Sequence, residues 1–414
     1  MHFNLLLKEF FQDMRLQKTR VILTIIAIGW GTLAVILLMA FGTGLSKQVN
    51  KGMRGAGNRC IRLYGGQTRK TFQGLPVGRY INLTIDDYHL IKKSLPLVDG
   101  ISAQFGTMAR LRNGERTAST YMEGVFPAFQ ILRNLPPGPG GRFINDNDMK
   151  ERKRVVFLGE VIAEELFGDQ DPIGRDVDIN GKPFKIVGVM PRKMQMGMNN
   201  GPDDRRAIIP FTTFENIYGY RYLSEMIVRP QSPNFNEVVI RQVRELMGKK
   251  HQFDPEDTYA LGVWDHVENE RTMNRMFIGI NIFLGVLGAM SLVVAGVGVA
   301  NIMYVVAKER TREIGIKRAV GAKKRHIIFQ FIFESLLIAG IGGGAGFLIS
   351  FGVIKLMWMM PAEEGVMSFM GRPLLSNLVV GTAVGVLAFI SLLAGFFPAR
   401  KAAAVDPVEA LRYE

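Results

Sequence analysis

Four stretches of this chain stay apolar for long enough to cross the hydrocarbon core of a membrane as helices, which takes about 20 residues. They are residues 21–45, 277–307, 327–354 and 378–397. The second has no charged residue in 31 positions, and the third has one, Glu334. At ~1.5 Å per residue the second stretch reaches ~46 Å against a hydrocarbon core of ~30 Å. It is therefore expected to run beyond the bilayer as a stalk, led in by the charged, helix-compatible segment 265–276. Residues 46–276 alternate polar and apolar positions in the manner of a water-soluble domain, and their number is domain-sized.

Inside 46–276 the periodicity switches between helix and strand. A helix is expected over 85–95, initiated by Thr84-Ile85-Asp86-Asp87. Strands over 101–111 and 116–125 follow, turning at Asn113-Gly114. The breaker cluster at 135–141 marks a loop or subdomain boundary. A strand over 155–159, a helix over 160–167 and a hairpin of 176–179 with 184–190 about Asn180-Gly181 come next. The polar, Met-rich run 191–206 reads as a loop, before strands at 207–210 and 225–229, a helix at 236–249 and a strand at 258–264. The fold class predicted is an α-helical membrane protein with four transmembrane helices and a large α+β two-lobed extracytoplasmic domain. One lobe comprises about 46–125 and 221–264; the inserted lobe comprises about 126–220.

Charge orients this arrangement. The segment 1–20 carries Lys8, Arg15, Lys18 and Arg20 against Glu9 and Asp13. The bend 308–326, KERTREIGIKRAVGAKKRH, carries eight basic residues against Glu309 and Glu313. The positive-inside tendency places both in the cytoplasm, together with the tail 398–414, and puts 46–276 and the loop 355–377 outside. Phe3, Leu6, Leu7, Phe10, Phe11 and Met14 recur at helical spacing, so 1–20 reads as an amphipathic helix on the inner membrane face. It serves either as a plain anchor or as a surface that a partner can push. The first span reads as a retained anchor rather than a signal peptide. With four spans, the net charge of +14 is accounted for by topology and solvated surface, and nucleic acid is not expected as a partner.

Little else in the chain carries chemistry. Cys60 is the single cysteine, so no intrachain disulfide forms. The five histidines show no ligand spacing, and neither a phosphate-cradling G-x-x-x-x-G-K-[ST] loop nor a G-x-S-x-G elbow occurs, so neither catalytic nor metal-binding residues are assigned. Glu334 is an acid inside an apolar span, a functional candidate by default, or an interface residue pairing with Lys324 or Arg325. Glycines cluster in the spans (Gly29, Gly31, Gly42, Gly44; Gly285, Gly288, Gly296, Gly298; Gly340, Gly342, Gly343, Gly344, Gly346) and permit close helix contact within the bundle or with a second copy. The bend itself is expected to form a short helix along the inner face. Gly321-Ala322 ends it, and a fresh start follows at Lys323.

Residues 307–322, AKERTREIGIKRAVGA, resemble the signature of the MacB/FtsX-like ABC transporter permeases. So do 330–346, QFIFESLLIAGIGGGAG, and the tail 398–412, PARKAAAVDPVEALR. Leu158-Gly159, Ala163, Leu166-Phe167-Gly168, Pro172-Ile173-Gly174 and 184–190, FKIVGVM, resemble the MacB-type periplasmic core domain. The resemblance implies an inner-membrane permease subunit, a transport protein rather than an enzyme, in which the outer domain's first lobe is porter-like. It implies coupling to an ABC ATPase through Glu309, Arg310, Arg312, Glu313, Gly315, Lys317, Arg318, Gly321 and Ala322, with ATP and magnesium held by that ATPase. Because the chain starts almost directly with the first span, the ATPase is expected on a separate chain. Pairing with a second copy or a paralogue is implied, as are a periplasmic adaptor, an outer-membrane channel and contact with membrane lipid. The mechanism implied is mechanotransmission for efflux. Lipoprotein release and FtsX-like regulation of cell-wall hydrolases are the alternatives.

Overall fold

The computed structural model describes residues 18–55, 57, 59–193, 201–360 and 371–404. Most of the amphipathic segment (1–17), the core of the expected loop (194–200), residues 361–370 of the loop 355–377, and the tail from 405 onward lie outside the described residues.

Along the chain, α1 (Lys18–Gly55) is followed by β1 (Ile61–Gly65), α2 (Ile85–Ser94), β2 (Val98–Asn113) and β3 (Arg116–Val125). The short helices α3 (Phe129–Leu132) and α4 (Asp146–Lys150) precede β4 (Val155–Gly159), α5 (Glu160–Phe167), β5 (Asp176–Ile179) and β6 (Lys182–Met190). Then come β7 (Arg206–Pro210), α6 (Phe211–Tyr218), β8 (Glu225–Pro230), α7 (Asn236–His251) and β9 (Leu261–Asp265). The chain closes with α8 (His266–Glu309), α9 (Thr311–Ala319), α10 (Lys324–Met359) and α11 (Asn377–Ala403). Two compact units result, one holding the apolar helices and the other formed by Val49–Asn274. Helices α1, α8, α10 and α11 are long and apolar enough to cross a membrane.

Among the described residues of the unit Val49–Asn274, nine strands join one sheet, in the order β3-β7-β4-β6-β5-β2-β8-β1-β9. An additional pairing of β3 with β2 closes six of them, β2-β3-β7-β4-β6-β5, into a ring, while β8, β1 and β9 extend from β2 as an open flap. The length of β2 makes this possible. Its first half pairs with β8 from Val98 to Gln104, and its second half pairs with β3 from Gln104 to Asn113. Closure against β5 rests on Leu111↔Ile179 and Arg112↔Asp178. Inward positions of the ring, among them Leu111, Met122, Leu158, Ile179, Phe184 and Ile209, are buried and belong to one hydrophobic cluster with Ile61, Leu63 and Met226 of the flap. The expected lobe boundary at 125/126 falls within the ring, because β3 pairs in parallel with β7 as well as with β2. The strand expected from 258 starts at Leu261: Asp257 accepts the backbone N–H groups of Arg69, Lys70 and Tyr259 and holds its own segment in a turn.

The flap is backed by α2 and α7, tied through one carboxylate. Asp87 closes the capping box of α2 by accepting the Thr84 N–H at 2.7 Å. Its other oxygen lies 2.6 Å from Lys250 Nζ and 2.9 Å from His251 Nε2 at the end of α7. Burial alone would push this carboxyl up. The bonds from His251, Lys250 and Thr84 outweigh it and hold Asp87 at about 2. A carboxylate depressed in the folded state contributes stability above its unfolded pKa of about 4 and loses it as pH falls toward the folded value, here worth about 2 kcal/mol. We expect Asp87→Asn to lower neutral-pH stability by about that amount and to flatten the loss between pH 4 and pH 2. Denaturation of the full chain carrying Trp30→Phe and Trp358→Phe, so that Trp264 is the remaining tryptophan, reports this by fluorescence. A parallel acid profile in the variant would refute the assignment.

Where ring and flap meet, charges are buried. Asp203 accepts from Arg133 Nη2 at 2.8 Å and faces Lys193 Nζ at 2.9 Å and Arg206 Nε at 3.4 Å. Arg206 also pairs with Glu123, which accepts from Gln104 at 2.9 Å. Arg62 Nε donates to Glu225 at 3.0 Å. Lys193 additionally donates to the carbonyls of Gly55, Arg133 and Asn134.

In the membrane unit, glycine sets the approach of α1 to α10. A Cβ on Gly346 would lie 2.4 Å from the Gly29 carbonyl oxygen, and one on Gly342 would lie 3.0 Å from the Ile25 carbonyl. Backbone therefore packs on backbone at this crossing, the close contact that small residues four apart permit in a membrane. Gly285, Gly298, Gly340 and Gly344 meet nothing comparable. Helix α11 runs on past Pro398, although proline in a helix interior costs about 3 kcal/mol. Ala399, Ala402 and Ala403 beyond it are buried in the cluster formed with Ala307, Ile314, Ile327 and Phe331, so packing carries the last turn.

Candidate functional site

The bend between α8 and α10 is built from three local decisions. First, Arg310 leaves helical geometry (φ −93°, ψ 12°) between the end of α8 and the start of α9. Second, α9 ends on a left-handed glycine. Gly321 has φ +101°, its N–H donates to the Arg318 carbonyl, and the Ala322 N–H reaches back to the Lys317 carbonyl at 2.9 Å. These two bonds make the double C-terminal cap that favours glycine, because a side chain is strained at positive φ. Third, Lys323 is extended (φ −71°, ψ 147°) and acts as N-cap of α10, which begins at Lys324.

The nine residues singled out from the sequence sort by direction. Ile314 is 4% exposed, and with buried Gly315 it turns α9 toward the alanine-lined cluster of α8, α10 and α11. Arg310 Nη1 donates to Glu334 Oε1 at 3.1 Å, and Gln330 Nε2 donates to the same oxygen at 3.2 Å. The pairing expected with Lys324 or Arg325 is thereby corrected. Those residues sit about 15 Å along the α10 axis from Glu334, whereas the kink at residue 310 delivers a guanidinium to it directly. At the other end of α9, Arg318 Nη1 donates to the Ala403 carbonyl at 3.2 Å, in the last turn of α11. Arg310, Gly315 and Arg318 thus belong to the inward side.

Glu309, Arg312, Glu313 and Gly321 are exposed, while Lys317 and Ala322 are half-buried. Lys317 Nζ lies 2.7 Å from Glu313 one turn back, a spacing that stiffens α9. On this outer side stand two residues that sequence reasoning missed: Ile316, 48% exposed, and Val320, 85% exposed. Their signal was legible as an apolar pair four apart in an otherwise basic run, hence on one helical face. Gln330 was also missed; it reads as one more polar residue until its bond to Glu334 is seen. The arrangement offers no nucleophile or acid–base pair. It offers a short, stiffened helix with a mixed apolar and charged outer face, fastened at both ends to neighbouring long helices.

The family profile of the MacB-like periplasmic core domain matches residues 21–246, and that of the FtsX-like permease C-terminal region matches residues 285–407. The macrolide export ATP-binding/permease protein MacB of Bdellovibrio bacteriovorus is 30% identical over 409 residues, 99% of this chain and 61% of that protein. Its namesake from Chlorobaculum tepidum is 31% identical over 404 residues, 98% of this chain and 60% of that protein. The chain thus spans about three fifths of the curated relatives it matches. Among solved structures, the periplasmic region of MacB from Actinobacillus actinomycetemcomitans aligns with a TM-score of 0.43 and 17% identity, covering 54% of this chain and 96% of that one.

Proposed function

The chain belongs to the MacB/FtsX-like ABC transporter permeases, inner-membrane proteins with an extracytoplasmic domain, and from that premise we propose that it transmits the force of an ABC ATPase to its outer domain for export. In this reading α9 lies in the cytoplasm, the four long apolar helices all span the membrane, and the ATPase, which holds ATP and magnesium, docks on the outer side of α9. Ring and flap act as the two lobes of the outer domain, the flap being the porter-like one, and α8 connects membrane to domain as a stalk. A second copy or a paralogue completes the permease, with an adaptor and outer-membrane channel as further partners. The relatives are named for macrolide export, which makes a macrolide the first cargo to test.

The observation that carries this reading is the exposure of Ile316 and Val320 on a helix whose opposite side is buried. Exposed apolar side chains rimmed by Glu309, Arg312 and Glu313 have the composition of a protein-docking centre, where a few residues carry most of the affinity. Ile316→Asp with Val320→Asp is expected to reduce recovery of an ABC ATPase with the full chain by about 30-fold or more, the loss of roughly 2 kcal/mol or more at a docking centre. The variant should still insert into the membrane. Undiminished recovery of the ATPase from detergent-solubilised native membranes, or recovery of none with the wild-type chain, would sink the docking assignment.

A further inference from the structure

We propose that Arg310 and Glu334 are a positioning pair that converts movement of α9 into movement of α10, separately from the docking of the ATPase; this rests on the coupling reading above. Arg310 is the residue at which the helical path breaks between α8 and α9. Its side chain is 13% exposed and that of Glu334 is 7% exposed, so the pair is largely removed from water. Gln330, one turn before Glu334 on α10, donates to the same carboxylate oxygen and fixes its rotamer. A displacement of the kink is therefore delivered to the interior of α10, about three turns beyond its first residue, rather than to its first turn.

The distal end of α9 is fastened independently. Arg318 holds the Ala403 carbonyl, so α9 is linked to α11 at one end and to α10 at the other. Ile314 fills the space between. A helix held only by its covalent connections could rock without moving its neighbours. One held by a buried, directional ion pair cannot, because separating the two charges in a poorly solvated site is strongly unfavourable. Arg312, Ile316 and Val320 on the outer side of α9 are exposed, whereas the Glu334 side chain is 7% exposed; Glu313 approaches the pair through Arg310 at 3.9 Å. Docking and transmission are therefore separable by mutation.

The test uses the full chain with the ABC ATPase that co-purifies with it, in lipid nanodiscs. A fluorophore is attached through Glu115→Cys at the exposed β2–β3 turn of the outer domain; the native Cys60 is 1% exposed and is not labelled. Two quantities are read: the amount of ATPase bound, and the ATP-driven fluorescence change. For Glu334→Gln we expect binding within about twofold of wild type and a response reduced about tenfold, in line with the energies by which coupling residues act. Reversing the pair with Arg310→Glu and Glu334→Arg together should return most of the response; this double variant also decides the matter if Glu334→Gln does not insert. Retention of the full response in Glu334→Gln, loss of ATPase binding in parallel with the response, or failure of the reversed pair to restore it would each overturn the proposal. A wild-type chain that binds no ATPase, or binds it without responding to ATP, would instead overturn the coupling reading itself.

Discussion

Asp203→Ala is expected to lower the stability of the extracytoplasmic domain by about 3–5 kcal/mol, the cost of leaving buried charge without its partner. Arg133 is 2% exposed and Arg206 is 4% exposed at their side chains, and both face Asp203, as does Lys193. Burial pushes the Asp203 carboxyl up, but Arg133, Lys193 and Arg206 overcome this and hold it at about 2, so the site is built around an ionised acid. Removing that acid takes the carboxylate partner from Arg133, which is 2% exposed, while Arg206 keeps Glu123 and Lys193 keeps its backbone carbonyls. Replacing Arg133 and Asp203 together by apolar residues of similar volume should cost much less, because a buried ion pair repays little more than its own desolvation. A double-mutant cycle read by Trp264 fluorescence in the full chain with Trp30→Phe and Trp358→Phe measures both quantities. Equal losses in the single and double variants would show that packing, not charge, holds this junction.

Gly346→Leu should disrupt the membrane unit just as severely. Its Cβ would lie 2.4 Å from the Gly29 carbonyl oxygen and 2.9 Å from Thr32 Cβ. The two helices cannot yield locally, since the nearest atom is backbone. They must separate, which forfeits the packing that drives helix association where no hydrophobic force operates between helices. We expect a loss of about 3 kcal/mol or more, beyond the ordinary range for overfilled sites because backbone must move. Gly344→Leu is the internal control: the same chemistry on the same helix, where a Cβ meets nothing within 4 Å. Thermal unfolding in detergent, with monodisperse recovery, should separate the two variants. Equal tolerance of both would mean that the α1–α10 crossing is not a close contact.

These cases show which layers of the protein were readable from residues. The apolar spans were, because a hydrocarbon core imposes length and composition on every helix that crosses it, whatever its neighbours. So were α2 and α5 and the hairpins at Asn113-Gly114 and Asn180-Gly181, where capping residues, left-handed turns and period-two alternation act within a few positions. The end of α9 at Gly321 belongs to this class too. Strand β1, only five residues long and lying between the end of α1 and a turn-rich stretch, carried too little pattern to be recognised.

What the chain determined by itself is therefore local and environmental: four apolar helices, a basic bend with a glycine stop, and a sequence of strands and helices between the first two spans. What only the tertiary structure decided is who meets whom. The double use of β2, the closing of the ring through β5, the partner of Glu334, the continuation of α11 past Pro398 and the sorting of the bend into an inner and an outer side all depend on residues tens to hundreds of positions apart. The physical reason is that such pairings are selected by the summed burial and hydrogen bonding of the folded chain, to which any single stretch contributes only its own face.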